Sequence, residues 1–362
     1  MARILILANS SSGLYGFRNE LVLELLKKYE VYASLPDKTN NAELEEEGCK
    51  VIETPINRRG MNPSEDIKLF CGYLSLMKQI KPDLVLSYTI KPNVYGGLAC
   101  RIKGIPYMAN ITGLGSALEN PGILQLITKI LYKSGLKKAR TVFFQNNNNL
   151  EFFEKNRMCK VEKVLLPGSG VNTERFAPLP WPKDKNGFIF ISRVMREKGI
   201  EEFFACAKEI HSIFPDTEFH VLGYCEESYE EELKRLDNEG IIRYHGNVLD
   251  VRPYLEQVKC IIHPSYHEGM SNVCLEAASC GRVVITTDRP GCRETVIDGK
   301  TGFTVPIKDK DKLIEAVKRF MSMSSDEQLN MGLAGRKYVE KNFDRSIVVE
   351  RYMTRIDSII GK

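Results

Sequence analysis

Residues 263–281 read HPSYHEGMSNVCLEAASCG. The run CIIHPS that leads into them (260–265) is apolar and short, which predicts a buried strand. YHEG then forms the loop at the strand's carboxyl end, Ser271 or Asn272 caps a helix, and Gly281 ends it. The first N–H groups and the positive dipole end of such a helix suit anionic oxygens, such as those of a sugar diphosphate. Glu268 stands just before the helix, where its carboxylate can accept a hydrogen bond from a sugar hydroxyl near that phosphate. Glu276 lies one to two turns in, and its two acceptor oxygens match a vicinal diol such as a ribose 2′,3′ pair. The spacing fits two hydroxyl-bearing rings bridged by phosphate. The competing reading is a loop glutamate followed by one on a solvated helix face.

A second stretch supplies positive charge. FIFISRVMREKGI (188–200) runs from strand through Arg193 and Lys198-Gly199 into a helix. A guanidinium and an ammonium at the carboxyl end of a strand can meet a diphosphate that grows more negative as its bond to a sugar breaks. A plain basic loop is the alternative.

Outward from these stretches, strands and helices alternate along the chain. ARILILA, EVYASL, KPDLVLSY, IPYMANI, ARTVFFQN and VEKVLLPG read as strands before residue 170, with helical segments between several of them. The alternation restarts with GFIFISR, TEFHVLG, IIRYHG, CIIHPS, RVVITTD and TGFTVP. This predicts an α/β protein of two Rossmann-like doubly wound domains, because parallel strands need crossover helices. The expected boundaries are 1–170, a Pro- and Gly-rich linker at 171–184, and 185–345, with ligands at the carboxyl ends of the strands in a cleft that both domains face.

The 362 residues comfortably exceed one ordinary domain, and 43% hydrophobic with 27% charged residues fits a soluble globular chain. No run approaches the roughly 18 apolar residues of a spanning helix, and MARILILANSSSG reads as a first strand rather than a signal peptide. The ten cysteines show no C-x-x-C pair and read as reduced core thiols of a cytoplasmic protein. Residues 1–175 carry 24 Lys and Arg against 17 Asp and Glu, whereas the remainder carries 27 against 30. A basic first half suggests an anionic partner there, unless its lysines are simply solvated. Nucleic acid is not expected, since the basic residues are not interleaved with aromatics.

In order, SRVMREKG, HVLG, YHGNVLDV, HPSYHEGMSNVCLEA, CGRVVITTD and GCRETVIDGKTGFTV resemble the family 4 retaining glycosyltransferases of the GT-B fold. The resemblance spans essentially all of residues 185–306. It implies that Glu268 contacts the donor sugar and Glu276 the ribose, as that family's E-x7-E pair. It implies that Arg193 and Lys198 hold the diphosphate, that the backbone of Gly269, Met270, Ser271 and Asn272 cradles sugar and phosphate, and that Asn247 and Val248 hold the base. Asn172 matches the family's interdomain hinge, and Glu294 a recurrent glutamate of structural role. A last helix, within 346–362, is implied to cross back to the first domain.

The first domain resembles the family less closely. SSGLYGFRNEL (11–21) stands where the family has a glycine-containing loop touching both substrates, so Gly13 and Gly16 are candidates to let backbone approach a ligand. A plain strand-to-helix turn is the alternative. Arg18 could face an anionic acceptor or pack as a surface residue. NRRGMNP (57–63), SYTIKPNVYGG (87–97) and NITGLGS (110–116) resemble a bacterial subgroup acting on undecaprenyl-diphosphate-linked sugars, which includes GalNAc transferases that extend a diacetylbacillosamine lipid. Lys91 and Asn93 are the candidate acceptor residues. Many family members carry a mid-domain histidine; here all five histidines lie beyond residue 200, and the loop has Asn110 and Thr112.

The reading at this level is a transferase moving a sugar, such as GalNAc, from a UDP-sugar to a polyprenyl-diphosphate-linked saccharide, with retention and without an essential metal or other cofactor. Residues 124–140 combine an apolar face with five basic residues and no acid, which predicts an interfacial helix and a peripheral place on the cytoplasmic face of the plasma membrane. A packed helix with a solvated basic face is the alternative. A UDP-sugar 2-epimerase of similar architecture and a transferase with a soluble acceptor are the rival functions. A binding module without catalysis is opposed by Glu268, Glu276, Arg193 and Lys198 together. A dehydrogenase is opposed by GLGSALENPG (113–122), which breaks the G-x-G-x-x-G pattern.

Overall fold

The computed structural model describes the chain except residues 58–61, 115–117, 119–121, 183–185 and 362. It divides into two compact units, Met1–Ser169 with Arg345–Lys362, and Gly170–Asp344.

In the first unit, β1 (Arg3–Leu7), β2 (Glu30–Leu35), β3 (Lys50–Glu53), β4 (Leu84–Tyr88), β5 (Tyr107–Ile111), β6 (Thr141–Phe144) and β7 (Glu162–Leu165) form one sheet in the order β3-β2-β1-β4-β5-β6-β7. All pairs are parallel, with Ile4 opposite Val31 on one side and Leu84 on the other. The topological switch, where ligands of such sheets bind, therefore falls between β1 and β4. The helices are α1 (Ser11–Leu26), α2 (Asn41–Glu46), α3 (Pro63–Ile80), α4 (Gly97–Lys103), α5 (Ile123–Gly135) and α6 (Asn147–Lys155), with one wide π-turn at Pro92–Gly96. Asn62 caps α3 through Ser64 N (3.1 Å), and Pro63 takes the first helical position, where no N–H is required.

In the second unit, β8 (Gly187–Ile191), β9 (Glu218–Leu222), β10 (Arg243–Tyr244), β11 (Cys260–His263), β12 (Val283–Thr287) and β13 (Gly302–Val305) are ordered β10-β9-β8-β11-β12-β13, again parallel. Around them lie α7 (Ile200–Ile213), α8 (Glu230–Asn238), α9 (Arg252–Leu255), α10 (Asn272–Ser279), α11 (Lys310–Ser322) and α12 (Ser325–Phe343). β8, β11 and β12 are buried along their whole length, as strands covered by helices on both faces must be. Phe188, Phe190, Phe203 and Phe219 pack together on one face.

The last helix, α13 (Arg345–Ile360), belongs to the first unit. Val348, Tyr352, Met353 and Ile356 enter that unit's core, and the Tyr352 ring lies 4.1 Å from that of Phe143. Arg345, placed by the sequence reading in the second domain, instead bonds Glu20 (2.7 Å) and Gly16 O (3.1 Å) of the first unit.

Two further sequence expectations change. β3 was not foreseen. It is a four-residue edge strand with no buried position, so it carries no apolar run to betray it. The segment read as a linker packs as part of the second unit up to Trp181: Val171 and Phe176 are buried, and Phe176 O accepts from Arg336 Nη1 at 2.7 Å and from Ser279 Oγ at 2.7 Å. Asn172 Oδ1 closes a turn by accepting from Glu174 N and Arg175 N. Residues 183 and 184 of that segment lie outside the described residues. All ten cysteines are free, eight of them buried. Among the described residues no helix is long and apolar enough to cross a membrane.

Candidate active site

The loop after β11 turns back on its own strand. His263, the last residue of β11, is 1% exposed, and its Nε2 lies 3.0 Å from Glu268 Oε1. Lys198 Nζ lies 2.7 Å from the same oxygen, and the lysine and glutamate side chains are only 13% and 18% exposed. Burial alone would push the Glu268 carboxyl up. The hydrogen bond from His263 and the charge of Lys198 outweigh it and hold the group at about 2, so it is a carboxylate at neutral pH. An ionised carboxylate only accepts, so His263 carries its proton on Nε2. His263 Nδ1 is buried with no partner among the described residues.

Two glycines permit this geometry. Lys198 ends a 3₁₀ turn, Arg196–Lys198, and Gly199 follows with φ +76°. A Cβ at Gly199 would stand 2.2 Å from Pro264 O, so only glycine brings the Lys198 backbone against the strand that carries His263. Gly291, with φ +84°, also presses close to Glu268 O, at 2.6 Å from its would-be Cβ. Glu294 Oε2 fixes Gly291 N at 2.7 Å, which is a structural task, as the resemblance implied.

Ser271 is the N-cap of α10, its Oγ accepting from Cys274 N at 3.4 Å. Its own N–H donates to Gly291 O at 2.7 Å. The expected backbone cradle is corrected here: the Ser271 N–H is spent inside the protein and is no donor to a ligand. Gly269 and Asn272 are half-buried on either side, and the Met270 side chain packs into the core. Glu276 sits half-buried in the second turn of α10. Arg193, just beyond β8 and 37% exposed, pairs with Glu226 through Nη1. Asn247 is exposed and Val248 half-buried in the loop after β10, where Gly246 O accepts from Gly223 N at 2.7 Å. β8, β10 and β11 thus deliver Arg193, Asn247 and Glu268 from the same, carboxyl ends of one sheet.

In the first unit the structure revises several candidates. Gly13 and Gly16 are not in a loop. α1 starts at Ser11, and Gly13 N already donates to Ser10 Oγ at 3.2 Å. The chain enters the helix at once because Ser10 caps it and Ser11 N donates to Asp37. Arg18 is no surface residue: it is 5% exposed, its Nη1 donates to Phe17 O at 2.9 Å, and its guanidinium carbon lies 5.4 Å from the Tyr88 ring centre. Lys91 pairs with Asp66 at 2.7 Å. Residues 58–61 of NRRGMNP and 115–116 of NITGLGS lie outside the described residues.

Asn93 is corrected outright. It is fully buried, its Oδ1 accepts from Ser87 Oγ at 2.7 Å and its Nδ2 donates to Asn110 O at 2.8 Å. It ties β4 and β5 together and has no face for an acceptor. Asn110 is likewise structural, donating to Tyr352 OH at 2.6 Å. Asn93→Ala is therefore expected to cost about 1–3 kcal/mol in a urea titration, because it removes two buried hydrogen bonds, those to Ser87 and Asn110. Wild-type stability in that variant would refute the structural assignment.

His263 is the residue that sequence reading passed over. As a positioning residue it should be replaceable by a side chain that keeps a donor at the Nε2 position. His263→Leu is expected to lower kcat/KM about 10- to 100-fold, the value of a hydrogen bond to a charged group, and His263→Gln to recover most of it. Equal losses in both variants would exclude the role.

The pattern described as "Glycosyl transferases group 1" matches residues 185–323, and that described as "Glycosyl transferase 4-like" matches residues 3–146. The chain is 26% identical to the N,N'-diacetylbacillosaminyl-diphospho-undecaprenol alpha-1,3-N-acetylgalactosaminyltransferase of Campylobacter jejuni, over 99% of each chain. It is 24% identical to the UDP-Gal:alpha-D-GlcNAc-diphosphoundecaprenol alpha-1,3-galactosyltransferase of Escherichia coli, over 79% of this chain and 78% of that one. A crystallised glycosyltransferase of Rickettsia africae superposes with a TM-score of 0.82 at 19% identity, over 99% of this chain and 98% of that one, which shows the GT-B fold. With both units matched in chain order, the protein belongs to the group 1, family 4-like glycosyltransferases and is an enzyme of that class.

Proposed function

We propose that the protein moves an N-acetylhexosamine such as GalNAc from a UDP-sugar to a polyprenyl-diphosphate-linked saccharide, with retention at the anomeric carbon. The observation that carries this reading is Glu268, held ionised by Lys198 and His263 just ahead of the N-terminus of α10. The full-length similarity to a transferase whose name states a lipid-diphosphate acceptor supports the choice of acceptor.

Glu268 accepts a hydroxyl of the donor sugar, and Glu276 the ribose hydroxyls. Asn247 and Val248 line the base. Arg193, Lys198 and the Gly269, Met270 and Asn272 backbone face the diphosphate. The bond from the anomeric carbon to the UDP oxygen breaks, and the bond to the acceptor oxygen forms on the same face. The acceptor proton passes to the departing phosphate oxygen, so no separate strong base is required. The charge that develops is met by side chains already in place, which is the larger part of such catalysis, and no metal is assigned a task. Arg18, in the first unit, is the proposed long-range partner of the anionic acceptor. The epimerase alternative gains no support, since the matched patterns and relatives are transferases.

A peripheral place on the cytoplasmic face of the membrane is part of the proposal. It is supported by α5, where Ile123, Leu126, Ile127 and Ile130 are 48–80% exposed, and by the exposed Lys133, Lys137, Lys138 and Arg140 at and just past its C-terminal end. Apolar side chains flanked by cations fit an anionic lipid surface.

The test is incubation with a panel of nucleotide sugars and an undecaprenyl-diphosphate-linked disaccharide, following UDP release and the extended lipid. One donor should give product with the anomeric configuration kept. Donor hydrolysis or epimerisation with no extended lipid would reject the reading.

A further inference from the structure

Two cavities open at the carboxyl ends of the first unit's strands. The smaller, about 240 Å³, lies at the switch point, between Asn9 after β1, Thr89 and Ile90 after β4, and Thr112 after β5. The larger, about 590 Å³, extends past β2 and β3 to α3. That volume is within the range of small-molecule sites. Ile56 and Lys91 line both.

The wall of the larger cavity decides what it takes. Lys91 Nζ and Asp66 Oδ1 are 2.7 Å apart, and the two side chains are 15% and 18% exposed. Tyr95 OH donates to the other carboxylate oxygen at 2.8 Å, which fixes Asp66. Glu65 and Lys68 also line the cavity, so its described charges cancel. The described lining sets two carboxylates, Glu65 and Asp66, against two ammonium groups, Lys68 and Lys91, so a diphosphate would meet no net attraction in this cavity. A carboxylate has about four lone-pair positions and an ammonium three N–H donors, so the pair still presents acceptors and donors side by side. Pro36, Pro55, Ile56 and Leu69 supply an apolar wall. Adjacent donors and acceptors beside an apolar surface match a neutral sugar ring, with hydroxyl or acetamido groups on its rim and C–H groups on its face.

We propose that the larger cavity seats a neutral, non-reacting sugar of the acceptor, read by the Asp66–Lys91 pair, while the sugar that receives the transfer sits in the smaller cavity. This rests on the acceptor reading given above and deepens it. The acceptor carries at least two sugars, and Lys91 is a carbohydrate ligand rather than a diphosphate ligand.

Asp66→Asn separates the alternatives. It should raise the KM for an undecaprenyl-diphosphate disaccharide at least tenfold and leave that for the monosaccharide analogue unchanged. A diphosphate site would behave oppositely: losing Asp66 would tighten both acceptors and make inorganic pyrophosphate a better competitor, and that result would overturn the proposal. Gly72→Leu is the second variant. Gly72 lies inside α3 and lines the large cavity, and a Cβ there meets nothing within 4 Å, so leucine fills the space while favouring the helix. It should weaken the disaccharide acceptor alone; equal KM changes for both acceptors would refute the assignment. If wild-type enzyme extends neither lipid, the function reading fails, and saturation-transfer NMR with N,N'-diacetylchitobiose decides the cavity independently. Transfer to the disaccharide that disappears in Asp66→Asn and Gly72→Leu supports the site; no transfer to wild type removes it.

Discussion

Glu268→Gln should lower turnover on the order of 10²–10³-fold, the usual loss when one pre-set polar group at the reacting centre is removed. Glutamine keeps the shape but not the charge. The loss should fall on kcat more than on the KM for donor, because binding through the nucleotide is untouched. The same variant has a signature in stability. The Glu268 carboxyl is held at about 2 against an ordinary 4.5, so between these values the unfolded chain binds a proton that the folded one refuses. The stabilisation is whole above pH 4.5 and is lost as the pH falls toward 2. The thermal midpoint of the wild type should therefore drop more steeply from pH 5 to pH 3 than that of Glu268→Gln. Near-wild-type turnover in this variant would remove Glu268 from the reaction.

Lys198→Met should cost a similar 10²–10³-fold in kcat and for two reasons. One positive charge proposed to face the diphosphate is lost, and of its two cationic or histidine partners among the described residues Glu268 keeps His263. The first reason is separable from the second by product inhibition: UDP should inhibit Lys198→Met at least tenfold more weakly than wild type, whereas His263→Leu should leave UDP inhibition near its original strength. Because Lys198 and His263 meet at one oxygen, their double variant should lose less than the product of the single losses. Unchanged UDP inhibition in Lys198→Met would place the lysine on Glu268 alone and take it off the diphosphate.

The second unit was legible from sequence because its signals are local. CIIHPS, a capping serine and a terminal glycine are each short-range devices, and each folds as its pattern dictates. Glu268 and Lys198 could be named for the same reason. His263 could not, because its task depends on the loop folding back five residues onto the strand, while in sequence it reads as one more buried strand position. Asn93 failed in the other direction. It was a candidate through the resemblance of SYTIKPNVYGG to a lipid-linked-sugar subgroup, but its two partners, Ser87 and Asn110, are brought to it by strand pairing that no spacing records. Gly13 and Gly16 were placed in a loop because the family resemblance implies a glycine-containing loop after the first strand. Here Ser10 and Asp37 hold the first turn closed and override that expectation. The Lys91–Asp66 pair joins residues from two elements 25 positions apart, and only the structure discloses that it cancels the charge expected of Lys91.

The first unit is interrupted in sequence, and the second is not. The core around Phe143 and Met108 lacks Tyr352, Met353 and Ile356 until the final helix has been synthesised. A chain emerging from the ribosome can thus complete Gly170–Asp344 while the segment made first still exposes an apolar face. By this connectivity the first unit is begun before the second and closed after it, so its core is completed only by a segment made later than the whole of Gly170–Asp344.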